Sequence, residues 1–256
     1  MVGIGAGNPD HLTLQAVQAL RQLSVVFVMN KGEDKEALLG LRRTICERHM
    51  LERPNRIVEL SDPPREASIL DYQARVAAWH ERRVGALEAA IARELAEDDS
   101  GGLLVWGDPA LYDSTLRLIG QLRMRARVAF EYTVIPGITS VAALAASHRM
   151  VLHDVGGSVL ITTGRKLRER GLPQEAGTVV VMLDGECSFQ GLPNPERLEI
   201  FWGAYLGTPD EILRAGRLSE LSAEIVRVRA EARQRHGWIM DTYLLRKSTG
   251  TEARDD

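Results

Sequence analysis

Cysteine is nearly absent from this sequence: Cys46 and Cys187 stand far apart, and no metal-ligand spacing surrounds either. A disulfide framework and a cysteine-built metal centre are thereby excluded, and two free thiols in a reducing compartment are expected. The histidines His49, His80, His148, His153 and His236 show no two-ligand helical spacing, so no metal is expected. Lysine is scarce too. Only Lys31, Lys35, Lys166 and Lys247 occur, leaving 28 of the 32 basic residues as arginine. A G+C-rich genome produces such a skew, and so does a need for bidentate grips on carboxylates. There is no basic excess, since the net charge is −3 and the pI about 6.1. A phosphate-backbone partner is disfavoured on that ground, although a local basic cleft is not. No stretch approaches the ~20 apolar residues that span a bilayer, and the start Met1-Val2-Gly3-Ile4-Gly5 lacks the basic head of a secretory signal. A soluble, cytoplasmic protein is expected.

What is present is an ordinary globular composition, with 45% hydrophobic and 26% charged residues, enough for one large α/β unit or two small domains. In the first half, an apolar start at 2–4 precedes a glycine cluster. Leu12, Ala16, Leu20 and Leu23 then repeat at helical spacing. Val25-Val26-Phe27-Val28-Met29 reads as a strand buried on both faces. After a break at Ser61-Asp62-Pro63-Pro64, a long helix is predicted through Tyr72, Val76, Leu87, Ile91 and Leu95. Leu103-Leu104-Val105-Trp106 reads as a strand. Phe130, Tyr132 and Val134 alternate as a further strand, and 138–147 reads as a helix. In the second half, strands are predicted at 159–162, 179–183, 198–202 and 238–244, with helices at 209–215 and 222–235. This alternation predicts a largely parallel sheet in each half, divided into domains 1–136 and 137–256.

Ligands of open α/β sheets bind beyond the carboxyl ends of strands, so the loops there carry the functional information. Five stand out: Gly3-Ile4-Gly5-Ala6-Gly7-Asn8-Pro9, Gly107-Asp108-Pro109, Pro136-Gly137-Ile138-Thr139-Ser140, Thr162-Thr163-Gly164-Arg165 and Met182-Leu183-Asp184-Gly185. A dinucleotide fingerprint wants a small residue where Asn8 stands and an acid where Asn30-Lys31 stands, which disfavours a nicotinamide dehydrogenase. Taken singly, Asp108, Thr139 and Ser140 also read as helix caps, and Met182 as core.

Taken together, in this order and spacing, the loops and Leu12-Thr13 resemble the tetrapyrrole methylases. Longer strings are similar to one branch of that family: Gly32-Glu33 after Lys31, Leu41-Arg42-Arg43 with Ile45-Cys46-Glu47-Arg48-His49, Val105-Trp106-Gly107-Asp108-Pro109 with Leu111-Tyr112-Asp113-Ser114-Thr115, Trp202-Gly203-Ala204-Tyr205-Leu206-Gly207-Thr208-Pro209-Asp210-Glu211, and Gly237-Trp238-Ile239-Met240-Asp241-Thr242-Tyr243. The resemblance implies an α/β fold of two αβα domains with the active site in the cleft between them. It implies S-adenosyl-L-methionine as methyl donor, a small-molecule tetrapyrrole substrate, a homodimer, and carbon methylation coupled to loss of an acetyl unit in cobalamin biosynthesis. The family's first strand carries several apolar residues where Met1 and Val2 stand here, so a start displaced from the natural one is expected.

Matching positions imply cofactor contacts at Pro9, Gly107, Asp108, Thr139, Ser140 and Met182, with Ala204 and Trp238 as looser contributors. Methyl transfer from a sulfonium requires positioning more than a strong base, but acetyl loss needs activated water, for which Asp113 and His11 are the candidates. Asp113 also reads as a cap of the following helix, and His11 as a loop residue. Arg42, Arg43, Arg165 and Lys166 are candidates for gripping substrate carboxylates, or else belong to solvated helix faces. Other functions open to the same fold are methylation of a different precorrin carbon, of ribosomal RNA or of a modified protein histidine, and non-catalytic binding of the donor.

Overall fold

The apolar run at 25–29 is explained by its two sets of neighbours. In a computed structural model of the chain, β1 (Val2–Gly3), β2 (Val25–Asn30), β3 (Ile57–Ser61) and β4 (Gly101–Val105) form a sheet of order β1-β4-β2-β3, all parallel. Val26 and Val28 pack on one face with Ala16, Leu20, Ile45 and Met50. Val25 and Phe27 pack on the other with Val84, Leu87, Ala90 and Leu122. Both faces of the strand are covered, so no polar alternation appears in it. The first face belongs to α1 (Leu14–Gln22) and α2 (Glu36–His49), the second to α3 (Tyr72–Glu94) and α4 (Thr115–Arg125). Thr13 Oγ1 accepts from the Ala16 amide at 3.1 Å and starts α1; Asp71 does the same for α3.

The structure describes residues 1–30, 36–50, 56–64, 68, 70–173 and 175–248. The string Lys31-Gly32-Glu33 lies outside them. Among the described residues, no helix is long and apolar enough to cross a membrane. Backbone contacts divide the chain into two units, Met1–Thr139 and Ser140–Asp256.

The strand predicted through Phe130, Tyr132 and Val134 does not form. The segment runs beside β1, but β1 offers only two residues, and a single bridge, Val2 to Ile135, is made. A cavity of about 540 Å³ lies along Met1, Leu23, Gly102, Leu103 and Thr133.

The second unit is a mixed sheet, not the largely parallel one predicted. β5 (Val159–Thr163), β6 (Thr178–Met182), β7 (Leu198–Ala204), β8 (Ile212–Arg217) and β9 (Asp241–Lys247) lie in the order β5-β6-β9-β7-β8. β9 runs antiparallel to both β6 and β7, and β8 antiparallel to β7. The helix predicted at 209–215 is replaced by β8. Pro209 sits in a turn where Thr208 Oγ1 accepts from the Asp210 amide at 3.2 Å, and Ile212 then pairs with Ala204. The strand predicted at 238–244 begins only at Asp241, because α7 (Leu218–His236) ends at Gly237 with φ 74° and a short loop follows. α5 (Ser140–Ser147) and α6 (Gly164–Arg170) complete the unit. Trp202, Tyr243, Phe189, Ile200 and Ile225 form its core.

Candidate functional site

In the first unit, three of the loops marked in the sequence are bonded into one cluster. Ile4 donates its amide to the Val105 carbonyl at 2.9 Å, carrying β1 one step past β4. Gly5 and Gly107 then bridge, with the Gly107 amide donating to the Gly5 carbonyl at 2.8 Å. Gly3 donates to Ile135 at 2.9 Å, which brings in the third loop. This closeness requires glycine. A Cβ on Gly3 would stand 2.6 Å from the Gly137 nitrogen, and one on Gly137 would stand 2.2 Å from the Gly107 oxygen. Gly5 and Gly107 also sit at φ 78° and 68°.

Asp108 clasps the cluster. Its Oδ1 accepts from the Ala110 amide at 2.8 Å, shaping its own turn, and its Oδ2 accepts from the Gly137 amide at 2.9 Å. The Thr139 Cα is 3.9 Å from the position a Gly107 Cβ would take, so Gly107, Asp108 and Thr139 share one small region. Pro9 begins a 3₁₀ turn to His11, and Asn8 Oδ1 accepts from the Asp10 amide at 2.9 Å. The His11 side chain packs against Gly5, where a Cβ would meet its own Cβ at 2.8 Å. Its Nδ1 is buried and, among the described residues, has no hydrogen-bond partner.

Asp113 Oδ1 accepts from the Thr115 amide at 2.6 Å, so it starts α4 while Ser114 caps nothing with its side chain. Arg42 is half-buried. Its Nε donates to the Leu104 carbonyl at 3.4 Å, and Asp113 is the strongest opposing charge near it. Burial lowers the Arg42 pKa, and Asp113 followed by Cys46 acts against that fall. Arg42 therefore lies half-buried against the end of β4, within the field of Asp113. Arg43 is exposed and pairs with Glu59 at 2.7 Å.

In the second unit the remaining candidates gather at one edge of the sheet. Register places Thr163, Met182 and Thr242 side by side in one row across β5, β6 and β9, and Ala204 opposite Asp241 in the next row. Ser140, at the start of α5, accepts through Oγ from the Thr242 hydroxyl at 3.1 Å. Trp238 is half-buried, and its ring meets Tyr205 edge-on at 5.0 Å. The Tyr205 hydroxyl donates to the Trp238 carbonyl at 2.6 Å. Burial first, then Asp241 and Asp210, pushes the Tyr205 phenol up to about 12. Arg165 and Lys166 are exposed in the first turn of α6, just past β5, and Arg165 faces Glu169 at 3.8 Å.

Sequence reasoning missed the buried polar network beneath that edge. Asp241 accepts from Trp202 Nε1 at 3.0 Å and from Arg229 Nε at 2.9 Å, and Asp184 bonds Tyr243 and Ser188. The available signal was an aspartate directly after a strand end, at 184, together with Asp241 and Tyr243 in one of the long strings.

A glycine-built main-chain cluster beyond the carboxyl ends of parallel strands, clasped by one aspartate, is the arrangement of a small-ligand-binding α/β protein. The chain matches the model for Tetrapyrrole (Corrin/Porphyrin) Methylases over residues 1–222, and it belongs to that family. It is 50% identical, over 96% of its length and 94% of the relative's, to "Precorrin-6A synthase [deacetylating]" of Sinorhizobium sp. Among solved structures it resembles a cobalamin-synthesis-related protein, CobF, from Corynebacterium diphtheriae, with a TM-score of 0.82, 38% identity and 96% of each chain covered. The fold is shared more distantly with a uroporphyrin-III C-methyltransferase of Thermus thermophilus solved with S-adenyl homocysteine, with a TM-score of 0.58, 21% identity, and 95% of this chain and 90% of that one covered.

Proposed function

We propose that this chain is an S-adenosyl-L-methionine-dependent methyltransferase that converts precorrin-5 to precorrin-6A. It methylates C1 of the macrocycle and releases the C20 acetyl unit as acetate, a step of aerobic cobalamin biosynthesis. The observation that carries the reading is identity of 50% over nearly the whole chain to a precorrin-6A synthase. Precorrin-5, the methyl donor and one water enter. Precorrin-6A, the demethylated donor, acetate and two protons leave, so atoms and charge balance.

The residues present suit the donor. At Gly137 no side chain fits, Gly107 holds a positive φ that side chains rarely adopt, and Asp108 and Thr139 border them. Pro9, Gly107, Asp108, Thr139, Ser140, Met182, Ala204 and Trp238 would hold it. When bound, it supplies an electrophilic methyl group on a sulfonium. The protein then contributes by orienting the macrocyclic carbon against that methyl, an effect worth about 7–11 kcal/mol for well-aligned pairs.

Acetate release needs water activated at the acetyl carbonyl. Of the two candidates, His11 has the stronger support: its buried Nδ1 is unpartnered beside Gly5, whereas Asp113 spends one oxygen starting α4. Arg42, Arg43, Arg165 and Lys166 would meet the substrate's carboxylates, the last two from an exposed helix start. A cytoplasmic homodimer without nucleic-acid or membrane partners fits the charge and the family.

Incubation with precorrin-5 and methyl-labelled donor tests the reading. Label in the macrocycle together with stoichiometric acetate is expected. Label without acetate would assign a different methylation step, and donor binding with no transfer of label would favour a non-catalytic role.

A further inference from the structure

Glycine stands at 164 for a reason outside its own turn. A Cβ there would lie 2.3 Å from the carboxyl carbon of Asp184. The turn after β5 and the turn after β6 are thus fitted around one buried side chain, since Asp184 is only 5% exposed. Its Oδ2 accepts from the Ser188 amide and from the Tyr243 hydroxyl, each at 2.6 Å. Its Oδ1 accepts from Ser188 Oγ at 2.7 Å and from the Glu186 amide at 3.2 Å. Arg229 donates to the carbonyls of Asp184 and Gly185 at 3.2 and 3.4 Å while pairing with Asp241. Burial raises the Tyr243 phenol far above its ordinary range, with the Asp184 bond as the next cause, so the hydroxyl remains a donor. A carboxylate occupied in this way has its acceptors turned inward, toward the protein.

Leu183 stands between β6 and this network. The first four residues of β6 are buried and Met182 is half-buried, but Leu183 is 66% exposed and sits at φ 53°. A leucine in the left-handed region is strained, and exposure returns no burial in exchange. Such conformations persist where the surroundings over-determine them, and they gather at ligand-contacting positions.

We propose that Asp184 is a positioning residue which, through Ser188 and Tyr243, locks the turn after β6 so that Leu183 presents its side chain to the nucleoside of the methyl donor. The proposal rests on the reading of Met182, one residue earlier, as part of the donor site.

S-adenosylhomocysteine titrated calorimetrically into the full-length protein tests it, with the melting temperature of each variant as control. Leu183→Ala is expected to leave melting unchanged and to weaken binding by about tenfold, the scale of a lost apolar contact. Tyr243→Phe and Asp184→Asn are expected to weaken binding of the still-folded protein. The double variant Leu183→Ala/Tyr243→Phe should bind no worse than the weaker single one, because both act through one contact. A network with only an architectural role would lower melting and leave affinity alone, and that result overturns the proposal. So does normal binding by Leu183→Ala. Should Asp184→Asn not fold, Tyr243→Phe and Leu183→Ala decide the matter. If the unaltered protein binds no S-adenosylhomocysteine, the methyltransferase reading itself fails, an outcome distinct from the others.

Discussion

The Gly137 amide donates to Asp108 Oδ2 at 2.9 Å, and a Cβ added to that glycine would collide with the Gly107 carbonyl oxygen at 2.2 Å. The two residues join loops 29 positions apart in the chain. Asp108→Ala strands two amides, those of Ala110 and Gly137, at a cost of about 1–3 kcal/mol each where water cannot replace the acceptor. A fall in melting temperature with loss of S-adenosylhomocysteine binding is expected. Asp108→Asn keeps one acceptor oxygen and should retain part of both. Gly137→Ala cannot be absorbed by side-chain movement, because backbone atoms stand in the way, and it should abolish binding in calorimetry even where the protein still folds.

The turns of the first unit were legible because their residues carry backbone meaning in themselves: glycine admits positive φ, and proline and aspartate shape turns. The face-to-face burial of β2 was legible for a similar reason, as an unbroken apolar run. β8 was not. Pro209 followed by Asp210-Glu211 resembles a helix start, and only pairing with β7, a non-local event, makes 212–217 a strand. Likewise Phe130, Tyr132 and Val134 alternate properly, but β1 is too short to ladder with them. Asp184 was visible only as one member of a loop. Its four hydrogen bonds come from Glu186, Ser188 and Tyr243, and no local pattern announces the last of these.

Arg42 and Arg43 are neighbours in sequence with different surroundings, so alanine should separate them. Arg43 and Glu59 form an exposed pair at 2.7 Å, of a kind worth about 0–1 kcal/mol, and Arg43→Ala should leave melting nearly unchanged. If Arg43 meets the substrate, the KM for precorrin-5 rises; an unchanged KM removes it from the site. Arg42→Ala removes the donor to the Leu104 carbonyl and the half-buried packing of the arginine side chain, so a lower melting temperature is expected with or without an effect on KM.

The Tyr205 hydroxyl tethers the loop that carries Trp238. Tyr205→Phe removes its 2.6 Å bond to the Trp238 carbonyl, costing about 1 kcal/mol, and loosens a residue assigned to the donor. Weaker S-adenosylhomocysteine binding with a small drop in melting temperature is expected. Unaltered affinity would detach Trp238 from the donor site.

Cys46 supplies a pH-dependent prediction whose direction follows from its surroundings. Burial first, then Glu47, raises its thiol from 9.0 to about 11, with Arg42 pulling the other way. The folded pKa lies above the unfolded one, so folding gains from keeping this proton. That gain is fully present below about pH 9 and is lost as the pH rises through 11. Tyr205, pushed up to about 12, acts in the same direction at slightly higher pH. Chemical denaturation midpoints measured at intervals from pH 8 to 11 should therefore decline toward the alkaline end, and Cys46→Ala should flatten the earlier part of that decline. The same burial keeps the thiolate scarce at neutral pH. An alkylating reagent at pH 8 should leave Cys46 unmodified in the folded protein and label it once denaturant is added, as read by mass spectrometry of the peptide. Rapid labelling of the folded protein would show that the packing around Cys46 opens readily.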